Sequence, residues 1–264
     1  MQLTVRESYV FVATGGKAFD ASLPTMVFLH GAGMDHTAWA QHDRWFAHHG
    51  YNVLAPDLPG HGRSAGALLS SIGEMAEWTA VLLDASGAKQ AKLIGHSMGS
   101  LVALETAARY PAKVSGLALI GTAAAMTVGP DLLKAAEANN HDAVDMVSIW
   151  GLGFQAGLGG SLAPGLWMHS GAQRVLEQCR PGVLFNDLNA CNAYQNALAA
   201  AAQVTVPATF ILGERDLMTP ARAGKALASA LPNSRTVVIP GAGHMMMVER
   251  PDELLAALQG YRAA

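Results

Sequence analysis

The sequence predicts an α/β protein with a mostly parallel, doubly wound sheet and a single helical insertion. Short apolar runs alternate with helical patterns as far as Ile120, the alternation stops after Gly121, and it resumes near Ala208. Strands that alternate with helices form βαβ units, and the strands of such units are parallel and buried on both faces. A chain of 264 residues with this pattern is expected to fold as one domain with an excursion.

The predicted strands are of two kinds. Residues 3–13 mix β-forming and polar residues and predict one or two amphipathic strands at the edge of the sheet. The other strands are short, mostly apolar runs, as expected where helices cover both faces: 25–29, 51–55, 91–95, 114–120, 208–212 and 235–239. The patterns between these runs predict helices over 37–49, 73–86, 98–109, 221–230 and about 252–262.

The insertion occupies some eighty residues between Gly121 and Ala208. Its first part, 130–150, and its last part, about 186–203, have helical patterns and alanine-rich stretches of high helix propensity. Residues 151–171 contain seven glycines and a proline, which predicts a loop rather than a regular element. We expect this loop to be a mobile lid over a mainly apolar pocket, because large apolar residues lie in it, among them Phe154, Leu158, Leu162, Trp167 and Met168.

Composition and charge exclude several classes of protein. Hydrophobic residues make up 51% of the chain and charged residues 14%, which excludes a disordered protein. No apolar run approaches the roughly 18 residues that a membrane-spanning helix needs. The net charge is −3 without a basic block, so we expect neither a nucleic-acid partner nor a membrane partner.

Cysteine usage and the first residues predict a cytoplasmic location. Cys179 and Cys191 are the only cysteines, and we expect buried free thiols rather than a disulfide. Arg6 and Glu7 stand where a secretion signal would place its apolar core. The sequence carries no signal for an oligomeric state.

A nucleophile motif follows the strand at 91–95. Residues 95–99 read G-H-S-M-G, which matches G-x-S-x-G between an apolar strand and a helix. A serine on such a sharp turn has a strained backbone and needs small neighbours two residues away, which Gly95 and Gly99 supply. The motif predicts Ser97 as the nucleophile of acyl transfer, which also requires a histidine base, an acid and donors to the oxyanion.

Asp216 is the predicted acid. It lies in a loop just beyond the strand at 208–212, and the carboxyl ends of parallel strands are where ligands bind. Glu214 is a weaker rival, because its spacing from the strand places it nearer the sheet. An acid could instead follow the strand that ends near Ile120, but residues 121–125 contain none.

His244 is the predicted base. It follows the strand at 235–239, glycines precede it, and it is the one histidine that comes after the candidate acid. The other histidines show no H-x-x-x-H or H-x-H pair with a carboxylate, so we predict no metal site.

The predicted oxyanion hole combines two backbone N–H groups. The H-G-A-G loop at 30–33 follows the strand at 25–29, and its backbone can turn an N–H towards a developing oxyanion. Ala32 is the preferred donor and Gly33 the alternative. The N–H of Met98, directly after the nucleophile, is the second donor.

Taken together, these motifs resemble those of the α/β-hydrolase superfamily: H-G-A-G at 30–33, P-D-L-P-G-H-G-R-S at 56–64, G-H-S-M-G at 95–99, G-E-R-D at 213–216 and G-A-G-H at 241–244. The resemblance implies an α/β-hydrolase fold, with an eight-stranded, mostly parallel sheet and a helical cap inserted after the sixth strand. Residues 1–122 and 205–264 would then form the core and 123–204 the cap. Asp57, His61 and Arg63 would fix their loop rather than take part in catalysis.

The resemblance also implies a serine esterase that acts on a small molecule and needs no cofactor. His244 would take the proton of Ser97, the serine would attack a carbonyl, the alcohol would leave, and water would release the acyl group. Met34 and Met245 adjoin the motifs, and flexible thioethers suit apolar ligands. Together with Trp167 in the glycine-rich loop, they are the residues expected to bind small to medium, mainly apolar esters.

Several alternatives stay open at this point. Carbon–carbon hydrolases of aromatic meta-cleavage products share the S-M-G of the motif, but they usually have Asn where His96 stands and an aromatic residue where Met245 stands. Lactonase, thioesterase and cofactor-free perhydrolase activities use similar machinery. A ligand-binding protein on a hydrolase scaffold is the alternative that is not an enzyme.

Overall fold

An eight-stranded, mostly parallel sheet forms the centre of the protein. The computed structural model describes residues 1–161 and 166–262. The strands are β1 (Gln2–Val5), β2 (Ser8–Ala13), β3 (Thr25–Leu29), β4 (Asn52–Pro56), β5 (Ala91–His96), β6 (Val114–Ile120), β7 (Ala208–Gly213) and β8 (Ser234–Ile239). They lie in the order β1-β2-β4-β3-β5-β6-β7-β8, in which β1 and β2 are antiparallel and the pairs from β4 to β8 are parallel. The predicted sheet is confirmed.

Helices flank the sheet and fill the insertion. They are α1 (Asp43–Ala47), α2 (Ile72–Ser86), α3 (Met98–Arg109), α4 (Pro130–Glu137), α5 (His141–Gly151), α6 (Phe154–Gly157), α7 (Met168–Glu177), α8 (Val183–Ala193), α9 (Ala197–Gln203), α10 (Ala221–Ala228), α11 (Met246–Glu249) and α12 (Pro251–Arg262). Six of these helices, α4 to α9, lie between β6 and β7, where the sequence predicts the insertion.

Two hydrophobic cores cover the two faces of the sheet, and successive residues of β3 show the alternation. Val27 and Leu29 pack in the core with α2 and α3, whereas Met26 and Phe28 pack in the core with α1 and α12. Successive side chains of a strand point to opposite faces, so a strand buried on both faces must be apolar throughout. This is why continuous apolar runs predicted the central strands.

The structure corrects three of the predicted elements. The helix expected over 37–49 is a 3₁₀ turn, His36–Trp39, followed by the short α1. The pattern at 130–150 is divided into α4 and α5, because Asn139 adopts a positive φ of 51° and Asn140 caps the second helix. The segment 151–171 is not simply a loop.

Two helices occupy part of that glycine-rich segment. The short α6 follows the extended Gly153, and α7 begins at Met168 and buries Met168 and Leu176. Tertiary contacts of this kind override weak local propensity. Leu162 and the rest of 162–165 lie outside the described residues.

The turn from β5 into α3 brings three backbone segments into direct contact. A Cβ atom added to Gly95 would stand 2.1 Å from the carbonyl oxygen of Gly99, and one added to Gly99 would stand 2.3 Å from that of Leu29 at the end of β3. Both distances are far shorter than any side-chain contact, and backbone atoms cannot rotate out of the way. The two glycines are therefore required by packing at this turn.

We expect Gly99→Ala to destabilise the protein by about 2 kcal/mol or more, because overpacking against backbone typically costs about 1 to 3 kcal/mol. Urea denaturation followed by circular dichroism measures the free energy of unfolding. Gly171→Ala is the matched control. Gly171 lies inside α7 with open space around its Cα, so alanine there should be neutral or stabilise by about 0.5 to 1 kcal/mol. Equal stabilities of the two variants would contradict the packing argument.

Candidate active site

Ser97 stands at the turn between β5 and α3 in a strained conformation. Its φ of 53° and ψ of −120° lie where residues other than glycine rarely occur, at a cost of about 1 to 3 kcal/mol. The turn is held by the N–H of Ser97, which donates to the carbonyl of Ile120 at 2.9 Å, and by the N–H of Ser100, which donates to the carbonyl of Ser97 at 2.8 Å. Ser97 lines a cavity at the carboxyl edge of the sheet.

Asp216 and His244 form a buried pair beside this cavity. Nδ1 of His244 lies 2.8 Å from Oδ2 of Asp216, and both side chains are almost fully buried. The Asp216 carboxylate also accepts the hydroxyl of Thr219 at 2.7 Å, and its Oδ1 accepts the N–H groups of Met218 and Thr219 at 2.9 and 2.7 Å. These donors fix the acid in a turn closed by its own side chain.

The hydrogen bonds also decide the charge of Asp216 and the tautomer of His244. Burial alone would raise the pKa of Asp216, but His244 and the donors of Thr219 outweigh it and lower this pKa below the ordinary value. Because Nδ1 donates to the carboxylate, Nε2 of the neutral ring carries the lone pair. Nε2 is buried and has no hydrogen-bond partner among the described residues. His244 lines the same cavity as Ser97.

Glu214, the rival acid, does not approach His244. Its carboxylate is about half-exposed and accepts the N–H of Gly241 at 2.9 Å. Glu214 therefore supports the loop of His244 from its solvent-exposed side. The structure also shows why no acid directly follows β6. Gly121 has a φ of 56°, and a Cβ at this position would stand 3.0 Å from the ring of His244.

Backbone hydrogen bonds distinguish Ala32 from Gly33 as the oxyanion donor of the loop after β3. The N–H of Gly33 donates to Oδ2 of Asp187 at 2.9 Å, so it is already in use. The N–H groups of Ala32 and of Met98, at the start of α3, have no hydrogen-bond partner within the described part of the chain. Ala32 lines the cavity beside Ser97.

The cavity has a volume of about 210 Å³ and mostly apolar walls. Met34 and Met245 line it, as predicted, but Trp167 does not: its side chain is 53% exposed and lies near Gly159 instead. Trp150 of α5 supplies an indole to the cavity in its place. The other large apolar residues in the wall are Met126, Val128, Leu132, Val147, Leu184, Leu188, Leu217 and Met218.

Comparisons with known proteins agree with this geometry. A model of the alpha/beta hydrolase family matches residues 26–258. The chain belongs to the alpha/beta hydrolase family. The pimeloyl-[acyl-carrier protein] methyl ester esterase of Chromobacterium violaceum is 30% identical to this hydrolase over 257 residues, which cover 94% of this chain and 96% of the relative.

Two further proteins are similar to this hydrolase over nearly their full lengths. A putative non-heme bromoperoxidase of Mycobacterium tuberculosis is 27% identical over 248 residues, which cover 90% of this chain and 94% of the relative. The crystal structure of the enol-lactonase from Burkholderia xenovorans LB400 superposes with a TM-score of 0.89 over the whole of both chains, at 21% identity. The second likeness shows a shared fold.

Two positions that sequence reasoning missed hold the histidine loop of this hydrolase. Nε2 of His96 lies 3.0 Å from the carbonyl oxygen of His244. Burial lowers the pKa of His96 to about 3, so its ring is neutral and donates from Nε2. The carbonyl of Gly151, at the end of α5, accepts the N–H groups of both His244 and Met245 at 2.9 Å. The insertion therefore supports this loop directly.

Glu249 is a third residue that holds the histidine loop and that sequence reasoning missed. Its side chain is almost completely buried, and its Oε2 accepts the N–H groups of Gly153 and Gly243 at 2.9 and 3.0 Å. Its Oε1 has no partner among the described residues. Burial raises the pKa of Glu249 above its ordinary value, although the two N–H donors oppose this. The carboxyl group joins the start of α6 to the histidine loop.

One group of side chains in the described residues, Asp35, His36 and Asp57, has the composition of a metal site. Its atoms already bond to protein groups. Asp57 accepts Nδ1 of His36 at 2.7 Å and the N–H of Arg63 at 2.8 Å, while Asp35 caps the 3₁₀ turn. Asp57 thus fixes its loop, as the resemblance implied. Both cysteines are free, and none of the described helices is long and apolar enough to cross a membrane.

We expect Glu249→Gln to gain stability relative to the wild type as the pH rises above 4.5, the ordinary pKa of this carboxyl. The amide keeps an acceptor for both N–H groups but never ionises. Because folding raises the pKa of Glu249, the unfolded chain ionises first, and the stability contributed by the protonated carboxyl is lost as the pH rises through the folded pKa. Each unit of that rise corresponds to about 1.4 kcal/mol.

Urea denaturation at about pH 5 and about pH 8 measures this change in both proteins. Gln203→Ala, at an exposed position at the end of α9, is the control, and its stability relative to the wild type should be the same at both pH values because no ionisable group is removed. A gap between Glu249→Gln and the wild type that stays the same at both pH values would refute the assignment.

Proposed function

We propose that this hydrolase cleaves carboxylic esters of small to medium, mainly apolar substrates through an acyl-enzyme on Ser97. The observation that carries the proposal is the unpartnered Nε2 of His244, which is buried beside the cavity that Ser97 also lines. A serine hydroxyl becomes a nucleophile at neutral pH only when such a base accepts its proton. The esterase relatives of this chain support the same reaction class.

Acylation uses the atoms already described. Nε2 of His244 takes the proton of the Ser97 hydroxyl as its oxygen attacks the ester carbonyl. The Asp216 carboxylate stabilises the resulting imidazolium through Nδ1. The N–H groups of Ala32 and Met98 bind the oxyanion, and a single donor of this kind is worth about 3 to 4 kcal/mol in the transition state. The imidazolium then protonates the leaving alcohol.

Deacylation repeats these steps with water. His244 takes a proton from the water, the hydroxide adds to the acyl carbonyl, and the collapse of the second oxyanion returns the proton to Ser97 and releases the acid. No step needs a cofactor. In this scheme residues 1–122 and 205–264 form the catalytic core, and residues 123–204 form a cap that supplies half of the residues lining the cavity.

A fluorophosphonate probe tests the nucleophile. We expect the wild type to be labelled and Ser97→Ala to lose both the label and about 10⁴-fold or more of kcat on p-nitrophenyl butyrate, because the serine, the base and the acid act as a unit. Ser229→Ala, which changes a hydroxyl outside the cavity, should keep both. Failure of the probe to label the wild type would favour a ligand-binding protein over an enzyme.

The walls of the cavity indicate the charge of the substrate. Among the described lining residues there is no aspartate, glutamate, lysine or arginine, and the two histidines belong to the site itself. A carboxylate on the substrate would lose its hydration without gaining a counter-charge, which costs several kcal/mol. We infer that the substrate is neutral on both sides of the scissile bond.

A matched pair of esters measures this preference. Dimethyl glutarate and monomethyl glutarate have the same chain, but the second carries a carboxylate at neutral pH. We expect kcat/KM for the diester to be higher by about 100-fold, which corresponds to about 2.7 kcal/mol. Equal values for the two esters would contradict a neutral cavity while leaving the serine mechanism intact.

The surface of the insertion bears on whether the acyl group is free or bound to a carrier. The relatives that hydrolyse pimeloyl-[acyl-carrier protein] methyl ester act on a protein-bound acyl chain. Here the charged residues at the surface of the insertion are five acidic and three basic, a net charge of −2: Asp131, Glu137, Asp142, Asp145 and Glu177 against Lys134, Arg174 and Arg180. This balance repels an acidic partner. We infer that free esters, rather than esters on an acidic carrier, are the substrates of this chain.

A further inference from the structure

A buried cluster outside the cavity joins the insertion to two loops of the core. Asp187 of α8 has no exposed surface, and its Oδ2 lies 2.8 Å from Nε2 of His61 in the loop after β4. The same oxygen accepts the N–H of Gly33, in the loop after β3, at 2.9 Å. Asn186 donates to the other oxygen at 3.1 Å. Asp187 and His61 do not line the cavity.

Hydrogen-bond partners show that this cluster is an ion pair. Nδ1 of His61 lies 3.1 Å from the carbonyl oxygen of Pro59, and Nε2 faces the carboxylate of Asp187. A carbonyl and a carboxylate can only accept, so both ring nitrogens of His61 must donate, and the ring is an imidazolium. Burial alone would lower the pKa of His61, but the charge of Asp187 raises it, and His61 in turn lowers the pKa of Asp187.

The pair acts on the loop that carries the proposed oxyanion donor. The peptide between Gly31 and Ala32 is held by its carbonyl, which accepts the N–H of Met34 at 3.2 Å and Nδ1 of His30 at 2.9 Å. Asp187 holds the next peptide through the N–H of Gly33.

His30 is itself fixed by the cluster. Its ring packs against that of His61 with centroids 5.0 Å apart, and its Nε2 accepts the N–H of Leu58 at 3.2 Å. One nitrogen therefore donates and the other accepts, so the ring is neutral. Burial agrees with this, because it lowers the pKa of His30 to about 4. Both peptides that flank Ala32 are therefore oriented by this cluster.

We propose that the His61–Asp187 ion pair is a positioning device that fixes the Ala32 N–H for the oxyanion and makes the helical insertion part of the catalytic machinery. The inference rests on the proposed function. Neither side chain touches the substrate, so the pair contributes to the transition state and not to the binding of the ester. Its loss should lower kcat and leave KM nearly unchanged.

Asp187→Asn is the first test, because the amide is similar in size but cannot balance the charge of His61. We expect kcat on p-nitrophenyl butyrate to fall by about 10- to 100-fold with less than about a 3-fold change in KM. The rate of labelling by a fluorophosphonate, whose phosphoryl oxygen occupies the oxyanion position, should fall in parallel. Tyr194→Phe is the matched control. Tyr194 bonds to Glu105 and also joins the end of α8 to the core, but away from the oxyanion loop, so its loss should leave kcat unchanged.

The double variant His61→Gln/Asp187→Asn distinguishes positioning from general damage. Each single substitution leaves a buried charge without its partner, whereas the double one restores a neutral hydrogen-bonded pair. We expect the double variant to recover part of the kcat that each single variant loses. A double variant as impaired as the product of the two singles would overturn the proposal.

A measurement on the wild type keeps the proposal testable if the variants do not fold. In ¹⁵N-histidine NMR near pH 7.5, the ring of His61 should carry protons on both nitrogens, although a histidine of ordinary pKa is mainly neutral there. A neutral His61 would overturn the ion pair. An active wild type with an unimpaired Asp187→Asn variant would overturn the positioning role alone, whereas a wild type that hydrolyses no ester and resists the probe would overturn the proposed function as well.

Discussion

Direct contact between backbone segments at the turn from β5 into α3 is the constraint on which the site depends. Gly95 and Gly99 leave no room for side chains, so the start of α3 lies against the end of β3. This contact forces Ser97 into its strained conformation and brings the loop after β3 next to it. The proposed nucleophile and the loop of the proposed oxyanion donor are thus placed by the same packing contact. Strain of this size persists only where the surrounding structure over-determines it.

The helical insertion completes the site. It bonds to the histidine loop through the carbonyl of Gly151 and through the contact of Gly153 with Glu249, and it bonds to the oxyanion loop through Asp187. An independent lid would leave these backbone groups of the core without partners whenever it opened. We therefore interpret Gly151, Gly153 and Asp187 as fixed points of the insertion, so that any motion of the predicted lid at 151–171 would lie beyond Gly153.

Sequence patterns could predict the sheet and the placement of Ser97, Asp216 and His244 at its carboxyl edge, because both have local signals. Continuous apolar runs mark strands buried on both faces, and Asp216 with Thr219 forms a turn within four residues. The bonds that support the site have no such signal: Gly33 is 154 positions from Asp187, and Gly153 is 96 from Glu249. The prediction of Trp167 in the cavity was wrong for a similar reason. A loop pattern does not specify which indole side chain faces the cavity.

The arrangement of charges explains how a carboxylate can lie so near the proposed oxyanion hole. Asp187 bonds to the peptide next to the Ala32 N–H, and a carboxylate alone at that place would oppose the negative charge that develops on the substrate. The imidazolium of His61 makes the pair neutral overall, while its neighbour His30 stays uncharged. Asp187 therefore holds the loop after β3 in place, and the neutral ion pair adds no net charge that would oppose the oxyanion. In the proposed mechanism, Asp216 supplies the negative charge that stabilises the protonated His244.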